Sequence, residues 1–241
     1  MRVLITGGSE GIGYAFAEYF AKENASLVLV ARNDEKLVQA KKRLEHKYKC
    51  EAMCISMDLS EMKSGEQLYG LADGKSIDVL VNCAGYGKSG RAEETDIETD
   101  ERMIGVNDIT PMTLSKLFIK DHKKGILINV CSTGAFQPGP YIASYYASKS
   151  FLLSYTKALA MENKGNELRI IALCPGPVDT AFYEKSGDRM SVFHESAENV
   201  VSYCMSHLNQ TVVIPGWYNR VMRWIPSKIR TEALLKMKKQ R

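Results

Sequence analysis

Tyr145 and Lys149 stand four residues apart in Tyr145-Tyr146-Ala147-Ser148-Lys149, one helical turn on the same face. A free phenol titrates near pKa ~10 and exchanges protons poorly at neutral pH. An ammonium one turn away favours the phenolate, lowers that pKa and makes the phenol a usable general acid or base. Tyr146 has only Ser150 at the same spacing, so Tyr145 is the residue with the charged partner. Ser132 lies thirteen residues before Tyr145 at the end of an apolar run, where a hydroxyl can bond a substrate oxygen. Asn107 falls in the middle of a predicted helix, a costly place for an amide without a partner or a task.

A strand end and a helix face meet only if a sheet brings them together. Short apolar runs with strand character recur at Val3–Thr6, Ser26–Ala31, Ala52–Met57, Val79–Asn82, Ile126–Cys131, Arg169–Cys174 and Thr211–Ile214. Helix-period segments separate them: Ile12–Glu23, a helix capped by Asp34 and running to about Tyr48, one from about Ser60, Asp100–Lys120, about Tyr141–Asn163, and Ala197–Leu208. Strands apolar on both faces, alternating with helices, predict a doubly wound α/β fold. Its sheet is parallel and seven-stranded, with helices on both faces. The 241 residues, 45% of them hydrophobic, suffice for one such domain over 1–241. No repeat, low-complexity segment or linker marks a second one.

The first strand runs directly into Thr6-Gly7-Gly8-Ser9-Glu10-Gly11-Ile12-Gly13. A glycine-rich turn between a strand and an amphipathic helix lets backbone approach a pyrophosphate, and the helix N-terminus supplies free N–H groups. Ser9, Glu10 and Ile12 lie in that turn with Gly7, Gly11 and Gly13. At the end of the second strand a dinucleotide fold that takes NAD places an acid on the ribose hydroxyls. Here the residues are Ala31-Arg32-Asn33, and a guanidinium suits a 2′-phosphate. The expected cofactor is therefore NADP(H) in preference to NAD(H).

With these pieces assembled in order, the chain resembles the short-chain dehydrogenase/reductase family over nearly its whole length. The match comprises the glycine turn, Asp58-Leu59 after the third strand, and Asn82-Cys83-Ala84-Gly85 after the fourth. Asn107, Ser132, Tyr145, Lys149 and Pro175-Gly176-Pro177-Val178-Asp179-Thr180 complete it. The resemblance implies a Rossmann-type fold and hydride transfer between NADP(H) and a carbonyl or secondary alcohol. Tyr145 would protonate the carbonyl oxygen, and Lys149 would bond the nicotinamide ribose. Ser132 would hold the substrate oxygen, and Asn107 would support a water leading to Lys149. Asp58 and Leu59 would meet the adenine, Asn82, Ala84 and Gly85 would pass along the cofactor, Pro175, Gly176 and Val178 would flank it, and Thr180 would hold its carboxamide or phosphate. Cys83 and Thr133 replace residues usual in the family. Gly85-Tyr86-Gly87 and Pro215-Gly216-Trp217 look loosely like the branch holding long-chain 3-oxoacyl and hydroxysteroid reductases. Residues 180–196 could close over the site as a substrate lid, and Phe136, Pro138, Tyr141 and Phe182 either line a partly apolar pocket or serve as core or loop packing. A rival from another class is a cofactor-sensing regulatory protein without turnover, disfavoured by the complete set of four site residues.

Six scattered cysteines form no C-x-x-C pair, and no His/Cys cluster has metal spacing, so no metal is expected. A start that moves straight into a strand, with no leader pattern and no span-length apolar run, predicts a cytoplasmic protein. Basic residues are dispersed up to residue 216, which argues against nucleic acid. From Trp217 to Arg241, however, eight Lys/Arg face one Glu, a net +7, leaving about −3 for the rest. The favoured reading of this tail is a solvated helix packed by Trp224, Ile225, Leu234 and Leu235. Peripheral contact with an anionic membrane surface is the less favoured one. The expected partners are a small-molecule carbonyl substrate and further copies of the chain, in a homodimer or homotetramer.

Overall fold

The computed structural model describes residues 1–182, 186–187 and 194–239. Seven strands form one parallel sheet in the order β3-β2-β1-β4-β5-β6-β7. They are β1 Arg2–Thr6, β2 Ser26–Ala31, β3 Ala52–Ser56, β4 Val79–Asn82, β5 Lys124–Val130, β6 Glu167–Leu173 and β7 Val212–Val213. Described helices are α1 Gly11–Lys22, α2 Asp34–Tyr48, α3 Ser64–Leu71, α4 Ile97–Ile104, α5 Thr110–Asp121, α6 Ala143–Glu162, α7 Ala197–Met205, α8 Trp217–Met222 and α9 Ser227–Lys239.

Alternation along each strand divides the core into two layers. Val3 and Ile5 of β1 pack with Phe16 and Phe20 of α1, whereas Leu4 packs with Leu68, Leu114 and Phe118 on the other face. Strands covered on both faces need apolar side chains in both phases, which is why β1 and β2 read as unbroken apolar runs. The order reverses between β1 and β4, and this switch point opens a crevice at the carboxyl ends of the strands. Register places Thr6 beside Asn82, Asn82 beside Asn129, and Val130 beside Leu173, so the loops that follow leave from one edge.

Four expectations are corrected. The cap of α2 is Asn33, whose Oδ1 accepts from the Lys36 N–H at 2.8 Å; Asp34 is the first helical residue, beside the positive end of the dipole. The helix predicted from Ser60 starts at Ser64, because Ser60 N–H and Oγ are both spent on Asp58. The helix predicted over Asp100–Lys120 is broken by a π-helical turn at Gly105–Ile109. Trp224 does not pack the tail: it is among the most exposed large side chains, while Ile225, Leu234 and Leu235 are half-buried. Most of the expected lid, Tyr183–Lys185 and Asp188–Phe193, lies outside the described residues.

Candidate active site

The glycine turn is pinned to its neighbour across the switch point by Thr6. Its buried hydroxyl accepts from the backbone N–H of Cys83 at 3.0 Å and of Ala84 at 3.1 Å. A Cβ on Gly7 would fall 3.0 Å from the Ala84 backbone, and one on Gly13 would fall 2.2 Å from the Gly7 carbonyl oxygen. The turn therefore closes to backbone contact, and only glycine leaves that space. Gly11 has φ +57° and lies against Thr180, so the loop after β6 reaches the start of α1. Ser9 is buried in the turn, Glu10 is tied outward to Lys36 at 2.8 Å, and Ile12 packs against the α1 side of the core. The Asn82 amide is turned into the fold, donating to Asn129 Oδ1 at 2.8 Å, so what it offers the crevice is backbone.

Arg32 is exposed at the end of β2 and acts electrostatically on Asp58, beyond β3. Burial works to raise the Asp58 carboxyl, but the Ser60 N–H and hydroxyl and the guanidinium of Arg102 outweigh it and hold it below the usual range. Arg102 of α4 pairs with both Asp58 and Glu61. Two guanidiniums thus flank one carboxylate at this end of the crevice. Leu59, beside it, is buried, and its carbonyl accepts from Thr110 Oγ1 at 2.8 Å.

At the other end, α6 carries Tyr145 and Lys149 on one face, and Lys149 Nζ lies 5.8 Å from the Tyr145 ring centre. Lys149 is buried and donates to Val130 O at the end of β5, 3.0 Å away. An ammonium has three donors, so two remain beyond Val130 among the described residues. Burial lowers its pKa, opposed by Asp108 and the thiols of Cys131, Cys83 and Cys174. Ser132 follows β5 in extended backbone; its Oγ accepts from Gly134 N–H at 3.0 Å, which leaves its own proton to donate. Phe182 leans on Tyr145 with ring centres 5.2 Å apart.

Asn107 occupies the π-turn, fully buried. Its Oδ1 accepts from Tyr86 N–H at 3.1 Å, and its Nδ2 donates to Tyr86 O and to Ser148 Oγ, each at 3.0 Å. Gly85 passes so close that a Cβ there would sit 2.9 Å from Asn107 Oδ1 and 3.2 Å from Lys149 Nζ. Cys83 packs partly buried against the core, and burial pushes its thiol up to about 12. Pro175 O accepts from Thr133 N–H at 2.8 Å, Val178 is buried and bridges to Glu195, and Gly176 abuts the Asn219 amide.

A family model matches most of the chain. The short chain dehydrogenase model covers residues 1–191. The chain belongs to the short-chain dehydrogenase family. Within it, the chain is 34% identical over 212 residues to the 3-ketodihydrosphingosine reductase of Bos taurus, covering 84% of this chain and 64% of that protein. It is 27% identical to the very-long-chain 3-oxoacyl-CoA reductase-B of Danio rerio, covering 96% of this chain and 76% of that one. The chain thus spans less than two thirds of the bovine reductase. A short-chain dehydrogenase from Sphingobium yanoikuyae in complex with NADPH superposes with TM-score 0.83 at 24% identity, covering 99% and 94% of the two chains.

Sequence reading missed three members of this short-chain dehydrogenase's crevice. Thr6 lay within a motif but carried no assigned task. Arg102 has a partner 44 residues away, which no local pattern reveals. Asp108, buried in the π-turn with one oxygen lacking a hydrogen-bond partner, was hidden in a predicted helix.

Proposed function

We propose that this chain is an NADP(H)-dependent oxidoreductase that interconverts a carbonyl and a secondary alcohol, with Tyr145 as general acid and base. The observation that carries the reading is the buried Lys149 ammonium, held by Val130 O below the Tyr145 ring in the switch-point crevice. An ammonium is buried at a cost that a merely structural lysine has no reason to bear. The residues fit the cofactor: Gly7, Gly11 and Gly13 leave a backbone-lined cradle, and Lys149 keeps two donors for ribose hydroxyls. Arg32 stands where an NAD-preferring fold carries an acid, with Arg102 close by, which supports a 2′-phosphate. Bound there, the nicotinamide supplies or takes the hydride.

Ser132 orients the substrate oxygen through its remaining proton, and Tyr145 passes a proton to that oxygen or takes one from it. Lys149 favours the phenolate by its charge. Ser9, Asp58, Leu59, Ala84, Gly85, Pro175, Gly176, Val178 and Thr180 would wall the cofactor site, with Glu10, Ile12 and Asn82 contributing backbone, and Asn107 positions the helix behind Tyr145. Relatives named for 3-ketodihydrosphingosine and very-long-chain 3-oxoacyl-CoA support a substrate with a long apolar part. Phe182 beside Tyr145, and Phe136 four residues after Ser132, agree with that class.

The test is NADPH consumption against ketones, aldehydes, quinones, 3-oxoacyl thioesters and steroids, with Tyr145→Phe as the blank. Turnover of a long-chain carbonyl that falls at least a hundredfold in Tyr145→Phe, with NADPH binding retained, is the expected result. Equal rates in the two proteins, or no turnover with any class, would overturn the reading.

A further inference from the structure

We infer that the C-terminal segment from Trp217 onward docks the protein on an anionic bilayer surface. A solvated helix turns its charges outward and its apolar residues inward. This segment keeps Ile225, Leu234 and Leu235 half-buried but also leaves large apolar side chains outside, and its arginines reach back to the body along the surface. Arg220 Nη1 donates to Tyr203 OH at 2.9 Å and lies over that ring. Arg223 stacks on Phe136 at 4.8 Å, and Arg230 Nη2 donates to Phe136 O at 3.0 Å. Three arginines thus hold α8, α9 and the turn between them onto the body.

The outward face mixes large apolar side chains with cations. Trp217 is 69% exposed and Trp224 is 89% exposed, with Val221, Met222 and Ile229 also exposed. Trp217, Val221 and Trp224 fall at i, i+4 and i+7, so they share a face through α8 and the turn that continues it. Exposed Lys228 and Lys236 stand on α9. Tryptophan, aliphatic side chains and lysine together are the composition of an interfacial surface, in which rings enter the headgroup layer and ammoniums meet lipid phosphate. Among the described residues, no helix is long and apolar enough to cross a membrane.

Charge selects the partner. The segment carries eight Lys/Arg and one Glu, and among the described residues none of its cations forms an ion pair. A two-fold contact between copies would set two strongly positive segments against each other, whereas an anionic leaflet is complementary to them. Because two of the arginines grip Phe136, the docked face adjoins the loop after Ser132. If the proposed function holds, the substrate would then enter from the lipid side; the docking itself does not depend on that reading.

Both tryptophans of the chain lie in this face, so tryptophan emission, excited selectively, reports on it alone. Full-length protein is titrated with phosphatidylcholine vesicles containing or lacking about 30% phosphatidylserine, and binding is checked by flotation. The expected result is a blue shift and co-flotation with the anionic vesicles only, reversed by about 0.5 M salt. Trp224→Ala, and Lys228→Glu combined with Lys236→Glu, should each weaken partitioning by about tenfold with unchanged circular dichroism melts. Absence of both shift and flotation would overturn the proposal. So would a lipid-independent blue shift that tracks a dimer mass and disappears in Trp224→Ala, since the face would then join copies of the chain. Vesicle binding without turnover leaves the docking standing and counts only against the oxidoreductase reading.

Discussion

Asn107 Nδ2 reaches Ser148 Oγ at 3.0 Å, and Ser148 in turn donates to Tyr145 O at 2.8 Å, so the π-turn is bolted to α6 between its tyrosine and its lysine. A regular α-helix through residues 105–109 would not present this amide in the same way. The irregular turn spends local helix energy to aim one side chain, a use of π-turns common at functional sites. Asn107→Ala should leave Tyr86 N–H and Ser148 without this partner and let α6 shift. The expected effect is a roughly ten- to hundredfold fall in kcat with a smaller change in cofactor affinity. An unchanged kcat in steady-state kinetics would refute the positioning role.

Arg32 is the residue on which phosphate selectivity should turn. On the proposed function, Arg32→Ala would remove a charge-assisted contact of about 1.5–3 kcal/mol, so NADPH affinity should fall roughly ten- to hundredfold while NADH affinity moves little. Titration of the two cofactors by fluorescence or calorimetry checks the ratio, and a ratio that stays put would assign the selectivity elsewhere.

Asp108 makes stability depend on pH. Burial raises its carboxyl to about 7 against an ordinary value of 3.8, with Lys149 pulling the other way. Between those values the folded chain keeps a proton that the unfolded chain has lost. Stability conferred by the neutral acid is therefore present below about pH 4 and declines as pH rises towards about 7. Asp108→Asn should raise the thermal midpoint at neutral pH and flatten its decline across this window. Parallel melting curves for the two proteins from pH 4 to pH 8 would show that Asp108 does not contribute.

Thr6→Val keeps shape but removes the oxygen that accepts from Cys83 and Ala84 N–H. Leaving such donors unpaired should cost about 1–3 kcal/mol of stability and loosen the glycine turn against the loop after β4. Denaturant unfolding and cofactor titration read the two effects. A variant matching the parent in both would mean that water replaces the hydroxyl without penalty.

Much of the fold was legible in the chain because its signals are local. Val3–Thr6 and Ser26–Ala31 are apolar in both phases, as strands covered on both faces must be, and the glycines after Thr6 leave room only for backbone. Tyr145 and Lys149 are one turn apart on any helix, so their pairing needs no tertiary information. Arg32 instead of an acid was equally plain in the order of residues. The sequence alone therefore settled the alternation, the sheet class, the glycine turn and the tyrosine–lysine pair.

Tertiary structure decided what depends on distant partners. A π-turn differs from an α-helix by one residue in its hydrogen bonding, too little for apolar periodicity to register, and its stabilising bonds go to Tyr86 and Ser148 across the crevice. Arg102 joined the site only because β3 and α4 bring it to Asp58. Asp108 acquired its raised pKa from burial, which composition does not reveal. Trp224 read as core by residue type and stands at the surface, while the half-buried positions of the segment go to Ile225, Leu234 and Leu235. Hydrophobic pattern specifies which residues can be buried; the competition for a finite interior specifies which of them are.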